Sequence, residues 1–187
     1  MNSKKLEEVI KNYEVRISKS KEINQRQNFP SMIVVFNKLI ENEIPPTQEM
    51  FISKFREEHP KAKGIESRLK KAYFSFIREY HLGFLLREEF TEVHYDQDLD
   101  IYGGIDYVIN CNGGDYSLHA FVDTVAGNKW RQIKEKRHQF TGIHIDFPLN
   151  LKEGKRVGKF ILYTKEQVRE LHKYLDEFNK PNTDRIE

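Results

Sequence analysis

The chain has 187 residues, a net charge of +2 and an apolar fraction of 38%, which suits one compact domain or a modest domain with a small helical annex. Its 13 Phe and 9 Tyr argue for a packed core rather than disorder, and the longest apolar run, Met32–Phe36, is far too short to span a bilayer. Cys111 is the only cysteine, which excludes an internal disulfide and a cluster of cysteines around a metal, and "MNSKKLEEVI" lacks the apolar stretch of a signal peptide, so a cytoplasmic protein is expected.

Leu6, Ile10, Tyr13 and Ile17 recur at helical spacing and predict a charged, one-faced first helix, broken by "NFPS" at 28–31. Pro30 and Ser31 suit the start of a second helix, with Met32, Val35, Phe36, Leu39 and Ile40 as its stripe. "ENEIPPT" at 41–47 is a turn. Thr47 then caps a third helix that buries Phe51, Ile52 and Phe55. After the breaker "HPKAKG", a long helix over 65–86 carries Ile65, Leu69, Ala72, Phe76 and Tyr80, and its wide apolar face requires neighbours on two sides.

Near residue 90 the period changes from helical to alternating. "EEFTEVHYDQDLDIYGGIDYVINC" predicts strands, Gly113-Gly114 a hairpin turn, and "YSLHAFVD" a returning strand. On that strand Ser117, His119, Phe121 and Asp123 share one face. A basic helix over 125–139 follows, with Trp130 and Ile133 as its anchors. "TGIHIDFPL" and "GKFILYT" are further strands. Thr164–Gln167 forms a capping box for a last helix with Val168, Leu171, Leu175 and Phe178 on its face. The expectation is an α/β fold with a mixed sheet: a helical region over 1–60, then α-β-β-β-α-β-β-α over 61–187.

Charge is unevenly spread. "KAKGIESRLKK" and "KWRQIKEKR" are basic, whereas residues 88–106 hold seven acids and no Lys or Arg. Basic helices beside an acidic patch suit a polyanion held near a divalent cation, although each run also reads as an ordinary solvated face.

The element order, with "GGIDYVI" in the second core strand, resembles the PD-(D/E)xK nuclease superfamily, the restriction-endonuclease-like fold. That family's core is a helix, a three-stranded antiparallel meander, a crossover helix and a further strand. The resemblance covers about residues 63–178 in topology and one short motif in sequence. It implies a Mg²⁺- or Mn²⁺-dependent endonuclease of restriction or mobile-element type, acting on duplex DNA, with a homodimer as one option. Asp106 then stands as the first metal ligand, and Glu79 or Glu88 as the assisting carboxylate. The family's acid-x-lysine falls on His119 and Phe121, so His119 replaces the acid, Asp123 offers a second carboxylate, and Lys129 or Lys134 supplies the cation from the next helix. Arg131, Lys134, Arg137 and His138 are the expected phosphate contacts.

The same residues admit plainer accounts. Asp106 reads equally as a solvent-facing hairpin acid, His119 as a satisfied polar residue of a sheet face, and Asp123-Thr124 as a helix N-cap. The fold also exists without catalysis, as a module that binds nucleic acid or a protein. Residues 36–55 have the helix, turn and helix of a DNA-binding regulator, but the acids Glu49, Glu57 and Glu58 make the second helix a poor DNA reader.

Overall fold

The computed structural model describes residues 1–18, 31–125, 127–129, 131–132 and 142–178. Its elements are α1 (Ser3–Ile10), α2 (Met32–Lys38), α3 (Gln48–Glu58), α4 (Glu66–Glu89), β1 (Glu92–His94), a single π-helical turn (Leu99–Gly103), β2 (Tyr107–Cys111), β3 (Gly114–Val122), β4 (Ile143–Leu149), β5 (Lys155–Val157), β6 (Phe160–Leu162) and α5 (Lys165–Phe178). Between β3 and β4, residues 127–129, 131 and 132 are helical. The expected mixed α/β order is therefore present. Among the described residues no helix is long and apolar enough to cross a membrane.

The chain divides into two compact units, Met1–Leu82 with Lys155–Leu162, and Gly83–Gly154 with Tyr163–Glu187. The first is built on aromatic packing. Phe36 of α2, Phe51 of α3 and Tyr73 of α4 are buried, and the Phe36–Phe51 and Phe51–Phe76 rings meet edge to face at 6.0 and 5.7 Å. That geometry sets the positive ring edge against the negative face. The Tyr73 hydroxyl donates to the Pro46 carbonyl at 2.9 Å, which satisfies the polar end of a buried ring. The basic side chains Lys54 and Arg56 of α3 pair with Glu57 and Glu66.

α1 is shorter than its stripe predicts. It ends at Ile10, and Tyr13 and Arg16 instead take partners outside any helix: Tyr13 donates to the Pro45 carbonyl and the Arg16 amide to Gln48 Oε1. Ile17, expected on the apolar face, is exposed. Glu7 of α1 reaches His81 of α4 (Oε1 to Nε2, 3.3 Å) and Lys155 of β5 (2.6 Å). Burial pushes the Glu7 carboxyl up, but the bonds from His81 and Lys155 outweigh it and hold the group below its ordinary value.

The second unit carries a four-stranded sheet in the order β1-β2-β3-β4, antiparallel except for the parallel pair β3–β4. β2 and β3 are central, and Tyr116 through Ala120 of β3 are all buried. The hairpin turn lies one residue earlier than expected. Cys111 pairs with Gly114, so Asn112-Gly113 form the turn, with φ of 51° and 77°. An Asn-Gly pair with positive φ at both positions matches the twist of the flanking strands. The acidic stretch 96–100 is not a strand, because Asp96 Oδ1 accepts the amides of Asp98 and Leu99 and starts a tight turn. The "GKFILYT" strand forms a separate two-stranded hairpin, β5–β6, in the first unit, with Gly158 (φ 55°) in its two-residue turn.

Gly83 sits where α4 meets β2. A Cβ there would lie 2.5 Å from the Tyr107 hydroxyl oxygen, so the missing side chain makes room for a buried ring at the first residue of β2. Gly83→Ala is expected to lower stability by about 1–3 kcal/mol, despite Ala being the better helix former by about 1 kcal/mol. The check is a urea titration, in which Tyr107→Phe should restore part of the loss. Glu7→Gln should cost about 1–3 kcal/mol at neutral pH. Because the folded carboxyl is held below its ordinary value, that stabilisation is present above the ordinary carboxylate range and lost as pH falls through the folded value. The melting temperatures of wild type and Glu7→Gln should therefore converge as pH falls below the ordinary carboxylate range and through the folded value.

Candidate functional site

The sheet brings three sequence-distant positions into one row. Tyr107 pairs with Leu118, so Asp106, one residue before β2, stands opposite His119. His119 pairs with Asp146 of β4, and Ser117 with His144. Side chains two apart on a strand share a face, which places His119 beside both His144 and Asp146. The parallel register alone makes this neighbourhood.

Asp106 is buried, at 5% exposure, so it is not a solvent-facing hairpin acid. Its amide donates to the Leu118 carbonyl at 2.9 Å, and its Oδ2 accepts the Ala120 amide at 2.6 Å. The carboxylate thus continues the ladder where the backbone of β2 has not yet begun. An ionised acceptor makes such a bond stronger than a carbonyl would.

His119 is equally buried. Its Nδ1 lies 3.4 Å from Asp146 Oδ1, and His144 Nε2 lies 3.5 Å from the same oxygen. One donor atom from each of His119, His144 and Asp146 falls within 4.8 Å of the others. The other Asp146 oxygen pairs with Arg131 Nε from the helical segment after β3. The His119 ring stacks on Phe121 (5.4 Å, 26°) and on His144 (6.1 Å, 30°), so it is held in plane. Beyond the row, the Tyr163 hydroxyl lies 3.2 Å from the Phe121 carbonyl and 2.9 Å from that of Phe147, spanning the ends of β3 and β4.

His144 and Asp146 open onto a groove of about 460 Å³, which Glu153, Gln167, Glu170 and Tyr174 also line. Three of those residues are acids, so the groove by itself repels a polyanion. Two imidazoles and a carboxylate, mutually close, with His144 and Asp146 lining that groove and His119 buried behind them, are a donor set for a divalent ion. They suit Mn²⁺ and the later first-row ions better than Mg²⁺, which prefers an all-oxygen shell.

The other expected residues are placed differently. Asp123 is exposed, and its Oδ1 accepts from Asn128 Nδ2 at 2.9 Å. The helix cap is Thr124, whose Oγ1 accepts the Gly127 amide at 3.0 Å. Lys129 is exposed on the same helical segment. Glu88 pairs with Lys165, and Glu79 belongs to the part of α4 in the first unit. Trp130, Ile133, Lys134, Arg137 and His138 lie outside the described residues. His144 and Asp146 were not singled out in the sequence. The signal for them is modest: in "HID" they alternate with Ile145, so the strand carries two polar side chains on one face.

Comparison with protein-family models, with curated proteins and with solved structures finds no match to this chain.

The Asp106–Ala120 bond predicts a difference between two substitutions. Asp106→Ala leaves a buried amide without its acceptor and should cost about 1–3 kcal/mol in a urea titration. Asp106→Asn keeps an oxygen at that place and should cost clearly less. Equal losses would mean that the carboxylate contributes through its charge rather than through the ladder.

Proposed function

We propose that the protein acts on nucleic acid as a divalent-metal-dependent phosphodiester hydrolase with a restriction-endonuclease-like core, and that duplex DNA is its substrate. The observation that carries this reading is the row Asp106–His119–Asp146 across β2, β3 and β4, in a fold that runs long helix, antiparallel meander, helical segment, parallel strand. The resemblance to PD-(D/E)xK nucleases expects its acids on the same two central strands.

His119, His144 and Asp146 are the residues that would hold the ion. When bound, the ion supplies Lewis-acid polarisation of the phosphate and charge for the leaving oxygen. The chain's own groups do the positioning. Phe121 and burial fix the His119 ring, and Asp106 fixes the start of β2 against β3. Arg131 takes the place of the family's lysine. Its planar fork suits a phosphate, and Asp146 orients it from behind. The same donor set also serves Fe(II) oxidation chemistry, and the phosphodiester reading is preferred for the fold order and for Arg131 beside the carboxylate.

A second reading is favoured by two specific facts. Arg131 already occupies one oxygen of Asp146, and Phe121 stands where the resemblance expects lysine. In that reading the protein is a nuclease-fold module that binds nucleic acid or a protein without cutting.

The test offers single- and double-stranded DNA and RNA to the purified protein with Mg²⁺, Mn²⁺, Co²⁺ or Zn²⁺ supplied one at a time. Cleavage with Mn²⁺ above Mg²⁺ is expected. Loss of a ligand in His144→Ala or Asp146→Asn should cost more than the roughly 10–100-fold typical of an outer-shell partner. Since the groove is acidic, DNA binding should also weaken when the metal is chelated. A wild-type protein that cuts nothing with any of the four ions, yet binds DNA after chelation, overturns the hydrolase in favour of the second reading.

A further inference from the structure

A second cluster of unlike donors lies at the other end of the hairpin. Cys111 is the last residue of β2 and is buried. His172 and Asp176 are one turn apart on α5, beside the buried stripe Val168, Leu171 and Leu175. Cys111 Sγ is 3.4 Å from Asp176 Oδ1, and His172 Nε2 is 3.6 Å from the same oxygen. A donor atom from each of the three residues lies within 4.8 Å of the others. The Asn112 side-chain amide also donates to Asp176 Oδ1, at 2.9 Å.

The spacing has a chemical reading. A tetrahedral zinc shell with bonds of about 2.0–2.3 Å has ligand-to-ligand edges of roughly 3.3–3.8 Å. The observed 3.4 and 3.6 Å, two of the three edges, fall in that range, and the third is within 4.8 Å. The remaining ring nitrogen of His172 is also accounted for, since Nδ1 lies 3.1 Å from Glu89 Oε1. A carboxylate there keeps the proton on Nδ1 and turns the Nε2 lone pair toward Cys111 and Asp176, the outer-shell arrangement common around zinc-bound histidine.

We propose that Cys111, His172 and Asp176 form a zinc site, with Glu89 orienting the histidine and a fourth position left to solvent. The ion ties α5 to the end of β2. The site is reachable, because the His172 and Asp176 side chains are 33% and 44% exposed. Thiolate, imidazole and carboxylate together suit Zn²⁺ and exclude Mg²⁺ and Ca²⁺. Binding replaces the S–H bond by a sulfur–zinc bond and releases the proton to water. Because the Cys111 thiol must give up its proton to bind, the affinity for zinc should climb with pH. The inference shares no ligand with the His119 centre and stands independently of the hydrolase reading.

Cobalt is the probe that separates the two centres, because only a thiolate ligand gives a sulfur-to-cobalt charge-transfer band. The full chain, stripped with a chelator, is titrated with Co²⁺ and then with Zn²⁺. The expected result is a near-ultraviolet charge-transfer band with visible tetrahedral absorption, displaced by Zn²⁺. The band should be absent in Cys111→Ser and in His172→Ala, and kept in His144→Ala and Asp146→Asn. Zinc should also raise the melting temperature of the wild type by a step that Cys111→Ser lacks. No charge-transfer band in the wild type overturns the proposal whatever the variants do. So does a bound-zinc stoichiometry that is equal in wild type and Cys111→Ser.

Discussion

The parallel pairing of β3 with β4 is the constraint on which the candidate centre depends. A parallel neighbour cannot be reached by a tight turn, so the chain must leave the sheet after Val122 and re-enter it in the same direction. The excursion returns β4 with His144 opposite Ser117 and Asp146 opposite His119. A slip of one residue would turn both side chains to the opposite face, and the three-donor group would not exist. The same excursion carries Arg131, which then meets Asp146. A single register therefore sets the candidate donor group, the cation paired with it and the mouth of the groove.

The surroundings keep that register from drifting. On one side Asp106 replaces a missing ladder carbonyl and holds the start of β2 to β3. At the far end the Tyr163 hydroxyl lies against a carbonyl from each of β3 and β4. The buried run Tyr116–Ala120 is covered on both faces, which is how a central strand acquires a unique alignment. Polar side chains here act as register pins as well as candidate chemical groups: Asp106 pins the start of β2, while Asp146 is a candidate ligand.

Much of this fold was legible in the sequence because it rests on local signals. Helical stripes located α2, α3, α4 and α5, Thr47 announced its own cap, and alternation found β3 and β4. The errors were local too. The stripe that ran past Ile10 competed with tertiary partners for Tyr13 and Arg16, and the partners won. The hairpin turn was read on two glycines although Asn112-Gly113 is the pair that a two-residue hairpin turn favours most. The site was only half legible. Asp106 and His119 stand out on their own strands, but His144 and Asp146 gain meaning only from a pairing between strands that begin 29 residues apart in sequence. No periodicity encodes such an alignment. It is decided by what the crossover and the two buried faces allow.

The division of the chain into units has a consequence for anyone who would take the protein apart. The path runs from the first unit into the second at Gly83, back into the first for β5–β6, and into the second again at Tyr163. Neither unit is a contiguous stretch. A gene fragment ending after Gly154 would keep β4 but forfeit the hairpin of the first unit, along with Lys155, one of the partners of Glu7. A fragment beginning at Gly83 would carry that hairpin without the helices that complete its unit. The two halves have to be inherited, expressed and shuffled together, and a domain boundary drawn by a single cut leaves both of them unfinished.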